Sequence, residues 1–466
     1  MVDRLDQGSP FGGIDWFVNR FTINRVHGEQ DYMSVIDKIR NKTARITVVG
    51  QGYVGLPLAV AFGEAGFEVL GLDSSPAHVD NLNRGVAHTP DVDSTILLEL
   101  IEKGRYHAST DIGVLERSDV IIICVPTPLR KSKDPDISYV SNVAESIATH
   151  IQHGQLVVLE STTYPGTTNE LLLPLLSRNG RKVGEDFFLA FSPERIDPAN
   201  TKFRVRDIPK VIGGVTELCT KAASELYREV VDSVYPVSSP TVAELAKLYE
   251  NLFRSVNIAL ANEFALMCRR LDVSTREVID AAATKPFGFL PFYPGPGVGG
   301  HCIPVDAAYL SWKMKLNGYD ARFVHLAEEI NRAMPEYVVA LLIEALNRKK
   351  VCLNGARVLV LGVAYKRGVG DTRESPALEV IRLLKRSGAE VSYSDPYVPT
   401  VELDGEILVS VENVDELIEN MDAVLILTDH IEFDYPRLAA SANLIVDTRN
   451  ATWGIDRSPD RELLRL

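Results

Sequence analysis

The sequence predicts an α/β chain in which two doubly wound sheets are joined by a long central helix and a helical domain. Two observations carry this. Short, continuous apolar runs alternate with helix-patterned stretches from Ala44 to about residue 235, and again from Gly355 onward. Strands buried on both faces of a parallel sheet read as such uninterrupted runs. Between the two regions, from Ser239-Pro240 to about Arg270, there is neither glycine nor internal proline. That stretch reads as one helix, too long for an ordinary surface helix and placed as a spine between domains.

Residues 1–43 read as an N-terminal extension. Within it, residues 1–32 show no period and carry no arguable function, and Met33 opens a helix-like lead-in. A first domain, 44–238, contains apolar strands at Arg45–Val49, Glu68–Asp73, Val120–Val125, Leu156–Leu159, Phe187–Phe191 and Val211–Ile212, with a helix from Leu56 to Ala65. A helical domain, 239–350, follows. Along its spine Leu245, Leu248, Leu252, Val256, Leu260 and Phe264 recur at helical spacing but drift around the axis. More helix is expected over Thr275–Ala283 and from Asp306 to about Lys349. The glycine- and proline-rich loop before Asp306 holds Cys302 in irregular backbone. The last domain, 351–466, repeats the alternation: strands at Arg357–Leu361, Glu390–Asp395, Ala423–Leu427 and Leu444–Val446, and a helix from Ser375 to Ser387 with Ser375 as N-cap and Pro376 at its first position.

A chain of 466 residues accommodates two or three domains. Its net charge of −14 argues against nucleic acid or an anionic membrane as main partner, though a local basic pocket is still compatible with a phosphorylated substrate. The five cysteines (Cys124, Cys219, Cys268, Cys302, Cys352) are odd in number and form no C-x-x-C pair, which fits neither a disulfide framework nor a zinc site. With no leader pattern and no run of 18 uncharged apolar residues, a reducing cytoplasm is the simplest expectation.

Gly50-Gln51-Gly52-Tyr53-Val54-Gly55 lies between a strand and a helix, and Asp73 ends the next strand 18 residues after Gly55. In such a fingerprint the first glycine makes the turn and the second lets a pyrophosphate approach. The third packs helix on strand, and the acid holds a ribose. An acid there repels a 2′-phosphate, so NAD is expected rather than NADP. Thr127, after Val125-Pro126, and Glu160, opening Glu160-Ser161-Thr162, close two further strands, where open α/β sheets bind ligands; a plain strand cap reads the same way. Glu194 and Arg195 follow the Phe187–Phe191 strand as a ligand contact or a surface ion pair. Glu244, Lys247 and Asn251 share one face of the spine, as a solvated charged face also would. Cys302, after Gly299-Gly300-His301, reads as a nucleophile with free amides around it, and Asp306 as a water or proton carrier. A dinucleotide site and a thiol together point to oxidation of a primary alcohol to the acid, because the thiol traps the aldehyde. In the last domain Lys366, Arg367 and Arg373 gather as a phosphate site or a solvated loop.

These motifs, seven in order over residues 44–460, resemble the nucleotide-sugar 6-dehydrogenases, whose best-known member oxidises UDP-glucose to UDP-glucuronate. The resemblance implies two Rossmann-like domains joined by a dimerising helix, NAD as cofactor, a UDP-sugar as substrate and a homodimer or dimer-based oligomer. It implies Cys302 as nucleophile, Lys247 and Asp306 positioning water and stabilising oxyanions, and Glu194 assisting proton transfer and thioester hydrolysis. Thr127 would hold a water and Asn251 would contact the sugar or oxyanion. Arg195, Tyr293, the loop with Gly295, Gly297 and Gly299, and Lys366 would bind the sugar nucleotide. Tyr53, Glu160 and Arg373 would contact the cofactor, Arg373 from within the chain or across a dimer interface. Pro198 stands where UDP-glucose enzymes carry a second glutamate, and His301 where they carry serine. Both departures, with Tyr293-Pro-Gly-Pro-Gly, look like the branch acting on N-acetylhexosamines, and that loop with Cys302-Ile-Pro-x-Asp306 is more similar to the UDP-N-acetylglucosamine than to the N-acetylmannosamine enzymes. The product would serve surface-polysaccharide synthesis. Rival readings, a single-step hydroxy-acid dehydrogenase or a catalytically silent binder, leave Cys302 and the second sheet unexplained.

Overall fold

The computed structural model describes residues 27–89, 92–130, 134–195, 205–300, 302–455 and 461–466. Pro198, His301 and the side chain of Cys302 lie outside the described part. The first sheet contains β1 (Arg45–Val49), β2 (Glu68–Leu72), β3 (Tyr106–Ser109), β4 (Val120–Ile123), β5 (Gln155–Leu159), β6 (Phe187–Phe191), β7 (Lys210–Gly214) and β8 (Val234–Val237). Their order is β3-β2-β1-β4-β5-β6-β7-β8. The order reverses between β1 and β4, so a crevice opens at their carboxyl ends, beside Gly50 and Cys124. All neighbours run parallel except β6 and β7, which are antiparallel, a reversal that apolar runs do not reveal. Strands β4 and β6 are apolar and fully buried, whereas β8 is half exposed and β3 mixes polar residues.

Helix α1 (His27–Arg40) packs on this domain: Val35, Ile36 and Ile39 enter its core, and Arg40 pairs with Glu225 at 3.1 Å. Val35, Ile36 and Ile39, which fall within the expected extension, thus pack in the first domain's core. Helix α2 (Gly55–Glu64) follows the glycine turn. The second sheet, built of β9 (Arg357–Leu361), β10 (Glu390–Ser394), β13 (Ala423–Ile426), β14 (Leu444–Asp447) and β15 (Glu462–Arg465), is parallel throughout, in the order β10-β9-β13-β14-β15; β11 (Thr400–Leu403) and β12 (Glu406–Val409) form a separate hairpin.

The spine helix α3 (Pro240–Arg270) starts where expected, with the Ser239 hydroxyl accepting from the Val242 N–H at 3.3 Å and Pro240 in the first turn. Helix α4 (Thr275–Ala283) and the long α6 (Arg322–Arg348) complete the middle with α5 (Cys302–Leu316). Cys302 opens α5 rather than lying in irregular backbone. Pro304 does not prevent this, because first-turn amides have no partner within the helix and proline's missing N–H costs nothing there. Helix α6 covers one side of the spine through Met334, Val338, Leu342 and Ala345. Another side stays apolar and open: Leu245, Tyr249, Phe253, Leu260 and Met267 are exposed. Helix α7 (Pro376–Arg386) has Ser375 at its N-cap position, but the hydroxyl makes no capping bond and is buried without a partner. Among the described residues, no helix is long and apolar enough to cross a membrane.

Candidate active site

The glycine turn has the spacing and the space that a dinucleotide needs. At Gly50, with φ +90°, a Cβ would lie 2.6 Å from the Cys124 carbonyl oxygen, and at Gly55 it would lie 1.8 Å from the Gly50 oxygen. Both positions therefore accept no side chain. A Cβ added at Gly52 would meet nothing within 4 Å, which leaves the approach to the N-terminus of α2 open. Tyr53 is exposed beside Val54, which leads into the helix. Asp73 is held at the end of β2 by Gln51 N–H and Ser75 N–H, both 2.9 Å from its carboxylate oxygens, with lone pairs left for ribose hydroxyls. These residues fit NAD. Arg373 from the last domain reaches this turn within the same chain: its guanidinium stands 5.2 Å over the Tyr53 ring and is paired with Asp371 at 2.6 Å.

Glu160, Glu194 and Thr127 line the crevice from the ends of β5, β6 and β4. Thr127 is buried, and its carbonyl accepts from Tyr309 at 3.2 Å. Glu160 has no exposed surface, and its oxygens accept from Lys210 (2.9 Å) and Tyr227. Burial pushes its carboxyl above the usual range, against the pull of Lys210. Glu194 is also 2.9 Å from Lys210. Arg195 is committed to the framework, with two nitrogens on Glu250 of the spine (2.6 and 3.1 Å) and one on the Pro209 carbonyl (2.8 Å).

On the spine, Lys247 donates to the Thr162 hydroxyl and Asn251 donates to Asp306 of α5. Arg254 donates to the Asn251 oxygen, which fixes the direction of the amide. Burial pushes the Asp306 carboxyl up to about 6, although Lys247, Asn251 and Arg254 pull the other way. Glu244, one turn before Lys247, is separate from this group: it accepts from Gly166 N–H (2.5 Å), Thr168 N–H (3.0 Å) and Thr168 Oγ1 (2.7 Å), and so anchors the loop after β5.

The glycine loop ahead of Cys302 is clasped between spine and last domain. Gly295 N–H donates to Asn262 at 2.9 Å, and Gly300 N–H to the Arg373 carbonyl at 3.0 Å. A Cβ on Gly299 would sit 2.8 Å from Tyr365 and from the Glu374 oxygen, and one on Gly297, with φ +132°, 3.1 Å from Asn331 and Pro376. Tyr293 is turned toward α4, bonded to Asp280 at 2.7 Å with Arg276 4.4 Å over its ring. Lys366 is half-buried in the loop after β9. That sheet uses its acid differently from the first: Asp395, at the end of β10, accepts from Val363 N–H, Ala364 N–H and His430, so its carboxylate closes the turn where a dinucleotide ribose would lie.

Three family models match in succession: the NAD-binding, central and UDP-binding domains of the UDP-glucose/GDP-mannose dehydrogenase family, at residues 44–231, 241–333 and 359–453. The chain belongs to that family. It is 38% identical to a UDP-N-acetyl-D-mannosamine dehydrogenase of Pyrococcus horikoshii, over 87% of this chain and 95% of the relative. It is also 38% identical to a UDP-N-acetyl-D-glucosamine 6-dehydrogenase of Pseudomonas aeruginosa, over 77% and 84%. A solved UDP-D-ManNAc dehydrogenase from P. horikoshii superimposes with a TM-score of 0.82 at 36% identity, covering 90% of this chain and 98% of that one. The protein is an NAD-dependent nucleotide-sugar dehydrogenase.

Sequence reading of this dehydrogenase missed Lys210, Arg254 and Arg449. Arg449, just past β14, is a half-buried cation whose guanidinium is pushed down to about 10 by desolvation, and one of its nitrogens lies 2.6 Å from where a Cβ on Gly295 would be. Lys210 and Arg449 leave no trace but a lone basic residue at or just past a strand end, whereas Arg254 stands three residues after Asn251 on the same helix face.

Asp306 also makes stability depend on pH. Its carboxyl is raised in the folded state, so the unfolded chain gives up the proton first. The native state pays a cost that grows from the ordinary value of 3.8 to about 6 and is complete above that. Asp306→Asn is therefore expected to stabilise by about 3 kcal/mol at pH 8 and by roughly half of that at pH 5. Urea midpoints at the two pH values check this, and an equal change at both would refute it.

Proposed function

We propose that this dehydrogenase oxidises C6 of a UDP-N-acetylhexosamine, best UDP-N-acetylglucosamine, from hydroxymethyl to carboxylate through a Cys302 thioester, making a surface-polysaccharide precursor. The observation that carries the reading is the convergence of Lys247, Asn251 and Asp306 at the first turns of α5, which Cys302 opens. A helix N-terminus favours a thiolate. NAD⁺, when bound, accepts one hydride in each of the two oxidations. Asp306 receives the C6 hydroxyl proton as the first hydride leaves. The Cys302 sulfur adds to the aldehyde carbon, and Lys247 and Asn251 donate to its oxygen. Loss of the second hydride leaves a thioester. Water attacks that carbonyl as Glu194 takes its proton, the C–S bond breaks, and the Cys302 thiolate departs. Tyr53, Asp73, Glu160 and Arg373 serve the cofactor side in this scheme. Thr127 holds a water, and Tyr293, the glycine loop, Lys366 and Arg449 frame the sugar nucleotide.

Relatives are named for both N-acetylglucosamine and N-acetylmannosamine. The choice between them rests on the Tyr293-Pro-Gly-Pro-Gly loop. NADH formation across UDP-N-acetylglucosamine, UDP-N-acetylmannosamine, UDP-N-acetylgalactosamine, UDP-glucose and GDP-mannose decides it: kcat/KM is expected to be highest for the first. A preference for UDP-N-acetylmannosamine would overturn the sugar assignment and leave the chemistry standing.

We further propose that the spine pairs two copies. Tyr249 is 70% exposed and Leu260 59%, on a helix face that α6 does not cover, and a two-fold contact would bury it. Light scattering is expected to give twice the 51.4 kDa chain mass. A fully active species at the single-chain mass would refute the dimer.

A further inference from the structure

The two carboxylates at the crevice wall share one cation. Lys210 Nζ lies 2.9 Å from Glu160 and 2.9 Å from Glu194, and its side chain is only 8% exposed. Burial alone would lower the ammonium's pKa, but the two carboxylates overturn that and raise it, so Lys210 stays charged. The strand reversal explains its position. β7 runs antiparallel to β6, with Ala190 opposite Gly214 and Phe191 opposite Gly213. Followed past its last pair, that register brings Lys210 to the level of Glu194. A parallel β7 would put its first residue at the far end of the sheet.

Resting on the reading of Glu194 as the base of thioester hydrolysis, we propose that Lys210 is a positioning residue of this reaction: its ammonium, clamped to Glu160, fixes the place of Glu194 and keeps it ionised. Burying a lysine is costly unless it is paired and hydrogen-bonded on all sides, and here two carboxylates do that. Glu160 is held in turn by Tyr227. Among the described residues, other titratable and charged groups near the cluster include Cys124 after β4, Arg195 next in the chain and Glu250 on the spine. Without the cation, Glu194 would face the negative charge of Glu160 and hold its proton to higher pH. The attacking water would then have no base, and the Cys302 thioester would persist.

Lys210→Gln keeps hydrogen-bonding reach and removes the charge. Its acid limb of turnover against pH is expected to move up by about one to three units. Turnover at neutral pH should fall on the order of tenfold per unit of that movement and recover at high pH. Mass spectrometry of quenched enzyme should find the sugar adduct on Cys302 accumulating at neutral pH, and Lys210→Arg should restore both readouts. If the single variant does not fold, Glu160→Gln/Lys210→Gln leaves no uncompensated charge behind Glu194, and its acid limb should still move upward. A uniform loss of rate with the acid limb in place would show Lys210 to be structural only and overturn the proposal. Glu194→Gln, run alongside, tests the underlying reading: adduct at every pH supports it, whereas unchanged turnover refutes the base assignment and the proposal with it.

Discussion

Replacing Cys302 by serine is expected to lower overall turnover to acid on the order of 10³-fold or more. A serine hydroxyl is scarcely ionised at neutral pH, and an alkoxide is a far poorer leaving group than a thiolate. Two hydride transfers at one carbon require the carbonyl to be trapped between them, so the loss falls on the second oxidation and on hydrolysis. The native enzyme should release two NADH per sugar consumed, and the variant at most one. Counting NADH against sugar consumed, with mass analysis of the product, reads this directly. A native enzyme that yields one NADH per sugar and free aldehyde as end product would remove the thioester from the mechanism.

Lys247→Met is expected to reduce kcat by about 10²–10³-fold with little change in NAD affinity. Lys247 is buried on the spine, in contact with Thr162 after β5 and electrostatically coupled to Asp306. In the proposed mechanism its charge acts where the oxyanion forms, away from the dinucleotide turn. The methionine nearly preserves volume, so packing alone cannot account for the loss. Rapid-mixing measurement of the first NADH, together with NAD titration, separates the two effects. A variant that loses NAD binding and keeps the chemical rate would place Lys247 on the cofactor side instead.

The spine was legible almost to the residue because its signals are local: Ser239 and Pro240 open it, and no glycine or proline interrupts it before Arg270. The glycine turn was legible for the same reason, since Gly50 and Gly55, close together in the chain, have no room for a side chain. The start of α5 was not, because a loop rich in glycine hides a helix that tolerates Pro304 in its first turn. Nor was the fate of Arg195 and Glu244, which look like site charges in the chain. In the fold their groups are spent on Glu250 and on the Gly166–Thr168 loop.

The sequence by itself determined the alternation of strands and helices, the dinucleotide turn, the spine and the order of the motifs, because each depends on neighbours a few residues apart. Tertiary structure alone decided which distant groups meet. Arg373 crosses from the last domain to Tyr53, Asn251 meets Asp306 across 55 positions, and the reversed β7 carries Lys210 between Glu160 and Glu194. An apolar run is as apolar in one direction as in the other. Strand direction is settled only when backbone hydrogen bonds pair with a neighbour, and that direction determines which end of β7 supplies a charge to the crevice.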